Sequence, residues 1–196
     1  MIRFIGFYDY TVILTYMSLM SSVFGMIFGI RGNFTLAVVC LLLSGVCDAF
    51  DGIIARTKKN RTEDEKSFGI QLDSLCDVIC FGIFPALLCY FMGVDGILGM
   101  LVIFLYCLCA VIRLAYFNVL EGKRQKTEDG CNKTYRGLPV TSIAVVLPII
   151  YSLKFLLLDF IFKILLHFML GIEAFLFILN FSVKKPDWKK ILVHNR

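Results

Sequence analysis

The stretch from Cys47 to Pro85, CDAFDGIIARTKKNRTEDEKSFGIQLDSLCDVICFGIFP, decides how the chain is read. Its middle is charged and its two flanks are strongly apolar. Four aspartates stand in those flanks, Asp48 and Asp51 in the first, Asp73 and Asp77 in the second. In helices, spacings of three and four put each pair on one face. Gly52 and Ala55 share the first face, and Gly69 lies one turn before Asp73 on the second. The stretch therefore describes two facing helices, each with two carboxylates and small residues that leave room for a ligand. Four carboxylates gathered in a low-dielectric place need cations to neutralise them. All-oxygen ligation suits a hard divalent ion such as Mg2+ or Mn2+. Two such ions close together would handle phosphate.

Working outward, the 196 residues have a mean hydropathy of +0.81, with 59% hydrophobic and 18% charged residues. That balance excludes an ordinary soluble domain. The expected class is all-α, a polytopic membrane protein of about six transmembrane helices forming one domain over residues 1–196. Apolar runs are expected at about Tyr10 to Ile30, Phe34 to Arg56, Phe68 to Met92, Ile97 to Leu120, Pro139 to Leu158, and from Asp159 to near Val183. The TKKNRTEDEK segment reads as a solvated loop between the second and third. Pro85 is placed to kink the third run, and Trp188 in the basic tail reads as an interfacial anchor. The start MIRFIGFYDY lacks the pattern of a cleavable signal peptide. Seven of the eight cysteines lie in apolar runs and read as packing residues, with only Cys131 in a polar loop.

Charge sets the expected orientation. With both termini on one side, about 17 of the 20 Lys and Arg residues fall on that side, leaving Arg31, Lys154 and Lys163 on the other. By the positive-inside rule, both termini and the carboxylates face the cytosol. Asp48 then lies roughly 21 Å along its helix, toward the cytosolic leaflet of an apolar core about 30 Å thick.

The pattern Asp48-x-x-Asp51-Gly52-x-x-Ala55-Arg56, then Gly69-x-x-x-Asp73-x-x-x-Asp77, resembles the signature of the CDP-alcohol phosphatidyltransferases. One departure concerns the loop: 12 residues separate Arg56 from Gly69, where the common pattern has about eight, a change expected to lengthen a surface connection only. The segments FGIQLDSLCDVICFGIFPALL (68–88), RLAYFNV (113–119) and YRGLPVT (135–141) resemble the bacterial branch that acts as CDP-diacylglycerol–serine O-phosphatidyltransferase, or phosphatidylserine synthase. The first span, with Thr11, Thr15 and Ser18, matches that branch loosely.

The resemblance implies a membrane-embedded homodimer in the bacterial cell membrane, with two Mg2+ or Mn2+ ions per site. Its reaction would join CDP-diacylglycerol and L-serine to give phosphatidylserine and CMP, with no nucleic acid involved. It implies metal ligation by Asp48, Asp51, Asp73 and Asp77, with Asp77 also the catalytic base. It implies nucleotide binding at Asp48, Gly52, Ala55, Arg56, Gly69 and Asp73. Arg113, Asn118 and Arg136 are candidates for holding the acceptor or the lipid phosphate. Each has an alternative reading: Arg113 and Arg136 as headgroup anchors, and Asn118 as a helix cap. His167 and Glu173 fall on different faces of the last helix and are expected to pair with neighbouring helices. Glycerol 3-phosphate or an inositol compound remains an alternative acceptor. A cation transporter built on the same acids is the reading from another class.

Overall fold

The computed structural model describes residues 5–8, 10–55, 58, 61–127, 134–180 and 182–184. The side chains of residues 55, 123–127, 134–136 and 182–184 lie outside that description. Cys131 and Trp188 also fall outside it.

A short 3-10 turn, Tyr10–Val12, leads into α1 (Ile13–Ile30), and α2 (Phe34–Ala55) follows directly. The Arg31-Gly32-Asn33 turn ends one helix and starts the next. Gly32 has φ +76°, so only a residue without Cβ takes this bend readily. Its N–H donates to Gly29 O and that of Asn33 to Phe28 O, which closes the last turn of α1. Asn33 Oδ1 then accepts from Leu36 N at 3.2 Å and caps α2.

Next come α3 (Glu63–Asp77), a π-helical segment Val78–Ile83, and α4 (Phe84–Phe91), which together make one span. The third run thus starts five residues earlier than the apolar pattern suggested. Glu63 to Lys66 belong to the first turn of α3 and not to a solvated loop. Thr62 caps that turn: its Oγ1 accepts from Glu65 N at 3.2 Å, and Glu65 Oε2 accepts from Thr62 N at 2.9 Å. Three acids in that turn, Glu63, Asp64 and Glu65, face the positive end of the helix dipole. Polar residues hide such a turn from a hydropathy reading.

The π segment answers Pro85. Proline has no N–H to give the carbonyl four residues back, which is Phe81 O. The buried Tyr106 hydroxyl supplies the donor instead, at 2.6 Å. The backbone widens for one turn there and resumes as α4 with Pro85 in its first turn, where proline is tolerated. At Gly93, φ +108°, a second glycine turn closes α4 through bonds to Tyr90 O and Cys89 O.

The remaining helices are α5 (Gly96–Thr127), α6 (Ile143–Ser152) between two 3-10 turns, and α7 (Asp159–Ile178). Among the described residues, five spans are long enough to cross a membrane, and the apolar Val140–Phe155 stretch is shorter. The chain is a multi-pass membrane protein with helix in each of the six apolar runs, although α7 ends at Ile178, short of the expected end near Val183, where Ser182–Lys184 is strand. The α3–π–α4 span is central, with 56% of its apolar window buried against 22–39% for the other four. α1 packs along α2 and against α4; α5 packs along α7 and against the π segment; α6 packs on α2. One feature departs from a purely helical chain. β1 (Thr134–Arg136) pairs antiparallel with β2 (Ser182–Lys184), tying the segment after α5 to the segment after α7.

Lipid tails attract apolar side chains as well as protein does, so close packing and polar contacts join these helices. On α1, Ser18, Ser22, Gly25 and Gly29 form a stripe of small residues, all buried. A Cβ at Gly25 would run into the Phe84 ring, and one at Gly45 would lie 2.6 Å from Ala144 Cβ.

The Tyr106 bond gives a stability prediction. Tyr106→Phe leaves Phe81 O buried without its donor and should cost about 1–3 kcal/mol. The expected readout is a lower Tm in detergent, while Tyr90→Phe, on an exposed ring, leaves the Tm in place. Equal Tm values for Tyr106→Phe and wild type would remove the hydroxyl from this role.

Candidate metal centre

α2 presents Asp48 and Asp51 toward α3, which presents Asp73 and, at its last residue, Asp77. One oxygen each from Asp48, Asp73 and Asp77 lies within 4.8 Å of the others, all three residues half-buried. The acids also meet in pairs across the helices, Asp48 with Asp77 and Asp51 with Asp73. Asp51 sits to one side of the triple, where α1 reaches it: Thr15 Oγ1 donates to Asp51 Oδ2 at 3.2 Å.

Gathered acids of this kind repel one another strongly once water is scarce. Asp73 Oδ1 is buried and has no hydrogen-bond partner among the described residues. A buried anionic oxygen with no donor is destabilising unless something positive meets it. Three converging carboxylate oxygens and one orphaned oxygen fit a hard divalent cation. The described residues can therefore hold a metal ion at this place.

Beneath the acids lies a layer of hydroxyls that the sequence reading left unassigned. Ser18 Oγ and Ser44 Oγ are 2.7 Å apart, Ser22 Oγ donates to Ser44 Oγ at 2.9 Å, and Ser18 Oγ reaches Cys80 Sγ at 3.7 Å. Ser44 is one turn before Asp48, and Cys80 is three residues after Asp77. The layer joins α1, α2 and the π segment immediately below the carboxylates and sets how closely the helices approach. Its signal in the sequence was the helical spacing of Ser44 to Asp48.

The other residues singled out by the sequence take varied positions. A Cβ at Gly52 would meet nothing within 4 Å, so the space beside Asp48 and Asp51 is open. At Gly69 the space is occupied by the Arg61 guanidinium, 2.7 Å from where a Cβ would stand. Ala55 ends α2; its side chain and all of Arg56 lie outside the described residues. Asn118 of α5 accepts from Ser74 Oγ at 2.6 Å and donates to Gln71 Oε1 at 3.4 Å. It thereby ties α5 to α3 beside Asp73 and does not cap a helix. Arg113 Nη2 donates to Gly137 O at 3.5 Å. Arg136 is in β1, with a described backbone only.

Glu173, buried in α7, accepts from Ser142 Oγ at 2.8 Å, a partner from the turn before α6. His167 bonds within its own helix, Nδ1 lying 2.8 Å from Lys163 O. The neighbouring-helix expectation fits the first and not the second. A cavity of about 360 Å³ lies at the opposite end of the bundle, lined by Phe34, Lys154, Asp159 and Lys163 among others. Phe34 and Asp48 are separated by roughly 21 Å of helix rise, so that cavity is remote from the carboxylates.

The chain matches the CDP-alcohol phosphatidyltransferase family over residues 10–181. It is 35% identical over 144 residues to the archaetidylserine synthase of Methanothermobacter thermautotrophicus, covering 73% of this chain and 58% of that one. It is 31% identical over 161 residues to the CDP-diacylglycerol–serine O-phosphatidyltransferase of Helicobacter pylori strain 26695, covering 81% and 64%. With the protein of that name from Saccharomyces cerevisiae it shares 34% identity over 116 residues, covering 58% and 41%. The matched regions thus span 41–64% of these relatives' lengths. No solved structure matches the chain. The match covers the aspartate helices and every described span, and the chain belongs to the CDP-alcohol phosphatidyltransferase family.

Proposed function

We propose that the chain works as one transmembrane domain that transfers the phosphatidyl group of CDP-diacylglycerol to the hydroxyl of L-serine. The observation that carries this reading is the convergence of Asp48, Asp73 and Asp77 within 4.8 Å, with Asp51 against Asp73. The names of the relatives support serine as acceptor. The open space at Gly52 leaves room for the nucleotide beside the acids.

Asp48, Asp51, Asp73 and Asp77 would hold two ions of Mg2+ or Mn2+, which when bound would neutralise the carboxylates and stabilise charge on the phosphoryl oxygens. Asp48, Asp51 and Asp73 hold this charge in place, and Asp77 serves as the general base. Serine's hydroxyl is a weak nucleophile at neutral pH and gains from a carboxylate in reach. In the step, the serine oxygen bonds to the phosphatidyl phosphorus and the bond from that phosphorus to the CMP oxygen breaks. The serine proton passes to the Asp77 carboxylate, and CMP leaves with the electron pair of the broken bond. Arg113 and Arg136 are assigned to the serine carboxylate or the lipid phosphate, as planar donors suited to either. Asn118 holds α5 against α3 and so positions Arg113 relative to the acids.

The charge distribution supports a site open to the cytosol with both termini on that side, and placement in the bacterial cell membrane belongs to the same reading. A lipid-linked diphosphate then reaches the carboxylates from the headgroup level. Homodimer formation belongs to the same reading.

Two experiments on purified protein in lipid test it. Asp48→Asn should abolish Mn2+ binding, read by electron paramagnetic resonance, together with activity. Asp77→Asn should keep substantial nucleotide binding while turnover falls about 10²–10⁴-fold, the usual range for a positioned base. Near-normal turnover in Asp77→Asn would transfer the base role elsewhere. CMP release is then followed with serine, glycerol 3-phosphate or inositol in turn. Phosphatidylserine formed with serine alone supports the acceptor; product with another acceptor overturns it. Absence of metal-dependent CMP release with all three would return the acids to cation transport.

A further inference from the structure

We propose that Arg61 is a substrate-binding residue, whose guanidinium holds the nucleotide-side phosphate of the bound diphosphate. The proposal deepens the preceding reading and rests on it.

Arg61 immediately precedes Thr62, the residue that caps α3. The capping box fixes the backbone there, and the arginine side chain runs forward along the helix. Nη2 donates to Glu65 O at 3.2 Å and reaches Gly69, where a Cβ would stand 2.7 Å from it. Glu65, Gly69, Asp73 and Asp77 recur every four residues, so they share one stripe of α3. The guanidinium therefore rests on the stripe that carries two of the site's carboxylates, about 6 Å of helix rise before Asp73.

Its hydrogen bonding is incomplete. A guanidinium carries five N–H donors. Among the described residues the bond to Glu65 O is its only one, and Nε is buried without a partner. A desolvated donor of this kind calls for an acceptor. Helix stability offers no reason for the placement, because a cation at a helix N-terminus opposes the dipole. Gly69 supplies the reason for its reach, since any side chain at 69 would displace it.

The sequence spacing gains a purpose here. The 12 residues between Arg56 and Gly69 are not only a longer surface connection. They include the capped first turn of α3 and the arginine that reaches forward over Gly69. A phosphate ester seated at Asp73 extends toward that guanidinium, whose planar fork matches phosphate oxygens. In the transfer step, the bond to the bridging oxygen breaks and the electron pair stays on the nucleotide phosphate. Arg61 faces the charge that gathers there.

The test uses the full chain in lipid nanodiscs and three probes: Mn2+ alone, CDP with Mn2+, and CMP with Mn2+. Arg61→Gln should weaken CDP and CMP alike by about ten- to a hundredfold, the range for a charge-assisted hydrogen bond. Mn2+ binding stays unchanged, and Arg61→Lys recovers part of the nucleotide affinity. Unchanged or tighter nucleotide binding in Arg61→Gln overturns the proposal. So does a loss confined to CDP, which puts the guanidinium on the other phosphate, or a loss of Mn2+ binding, which makes the residue structural. If the wild-type chain itself binds neither nucleotide, the nucleotide reading of the site falls first, and the proposal falls with it.

Discussion

Mutual repulsion among Asp48, Asp51, Asp73 and Asp77 is the constraint on which the rest of the bundle depends. Carboxylates this close, in an apolar setting, push their helices apart unless other contacts hold them. The structure supplies those contacts immediately around the acids. Thr15 reaches Asp51 from α1, the Ser18, Ser22 and Ser44 hydroxyls lock α1 to α2, and Asn118 bridges to Ser74 and Gln71. Each contact is polar and short-ranged. In a membrane such contacts and close packing stand in for the hydrophobic effect.

The central span meets a second constraint, because it must carry acids at one end and pure core at the other. Pro85 and the π segment divide those tasks. Before the break, α3 shows its Glu65–Gly69–Asp73–Asp77 stripe to the site; after it, Phe84, Ala86, Leu88 and Cys89 are all buried. The extra backbone width of a π turn rotates one half relative to the other. Tyr106, held in the core by Phe177 and its neighbours, completes the break by satisfying Phe81 O. A proline that would otherwise weaken the span becomes a joint in which the Tyr106 hydroxyl replaces the missing donor to Phe81 O.

These two solutions meet at Asp77, the last residue of α3 and the first neighbour of the π segment. Its side chain belongs to the acid stripe, while the backbone just beyond it is bonded into α5. Cys80, one turn on, touches the serine layer. The proposed base is thus the point at which site and core are mechanically joined. That arrangement suits a carboxylate whose position must stay fixed while substrates come and go.

Much was legible in the chain before any coordinates. Helical periodicity is a local property, so the spacings of three and four already put the aspartates in pairs on two faces. Hydropathy found all six apolar runs for the same reason. Polar first turns escaped it: Thr62 to Lys66 read as loop, because a capping box stabilises a helix by hydrogen bonds and not by apolar spacing. What only the tertiary structure decided is which partners meet across sequence distance. Asp48 facing Asp77, Asn118 joining Ser74, Tyr106 serving Phe81 O and β1 pairing with β2 all depend on how the helices assemble. The space at Gly69 belongs with them. The sequence by itself determined that a glycine stands one turn before Asp73, since that follows from 3.6 residues per turn. Only the fold decided that Arg61 would fill the gap, because a side chain's path depends on the turn that launches it.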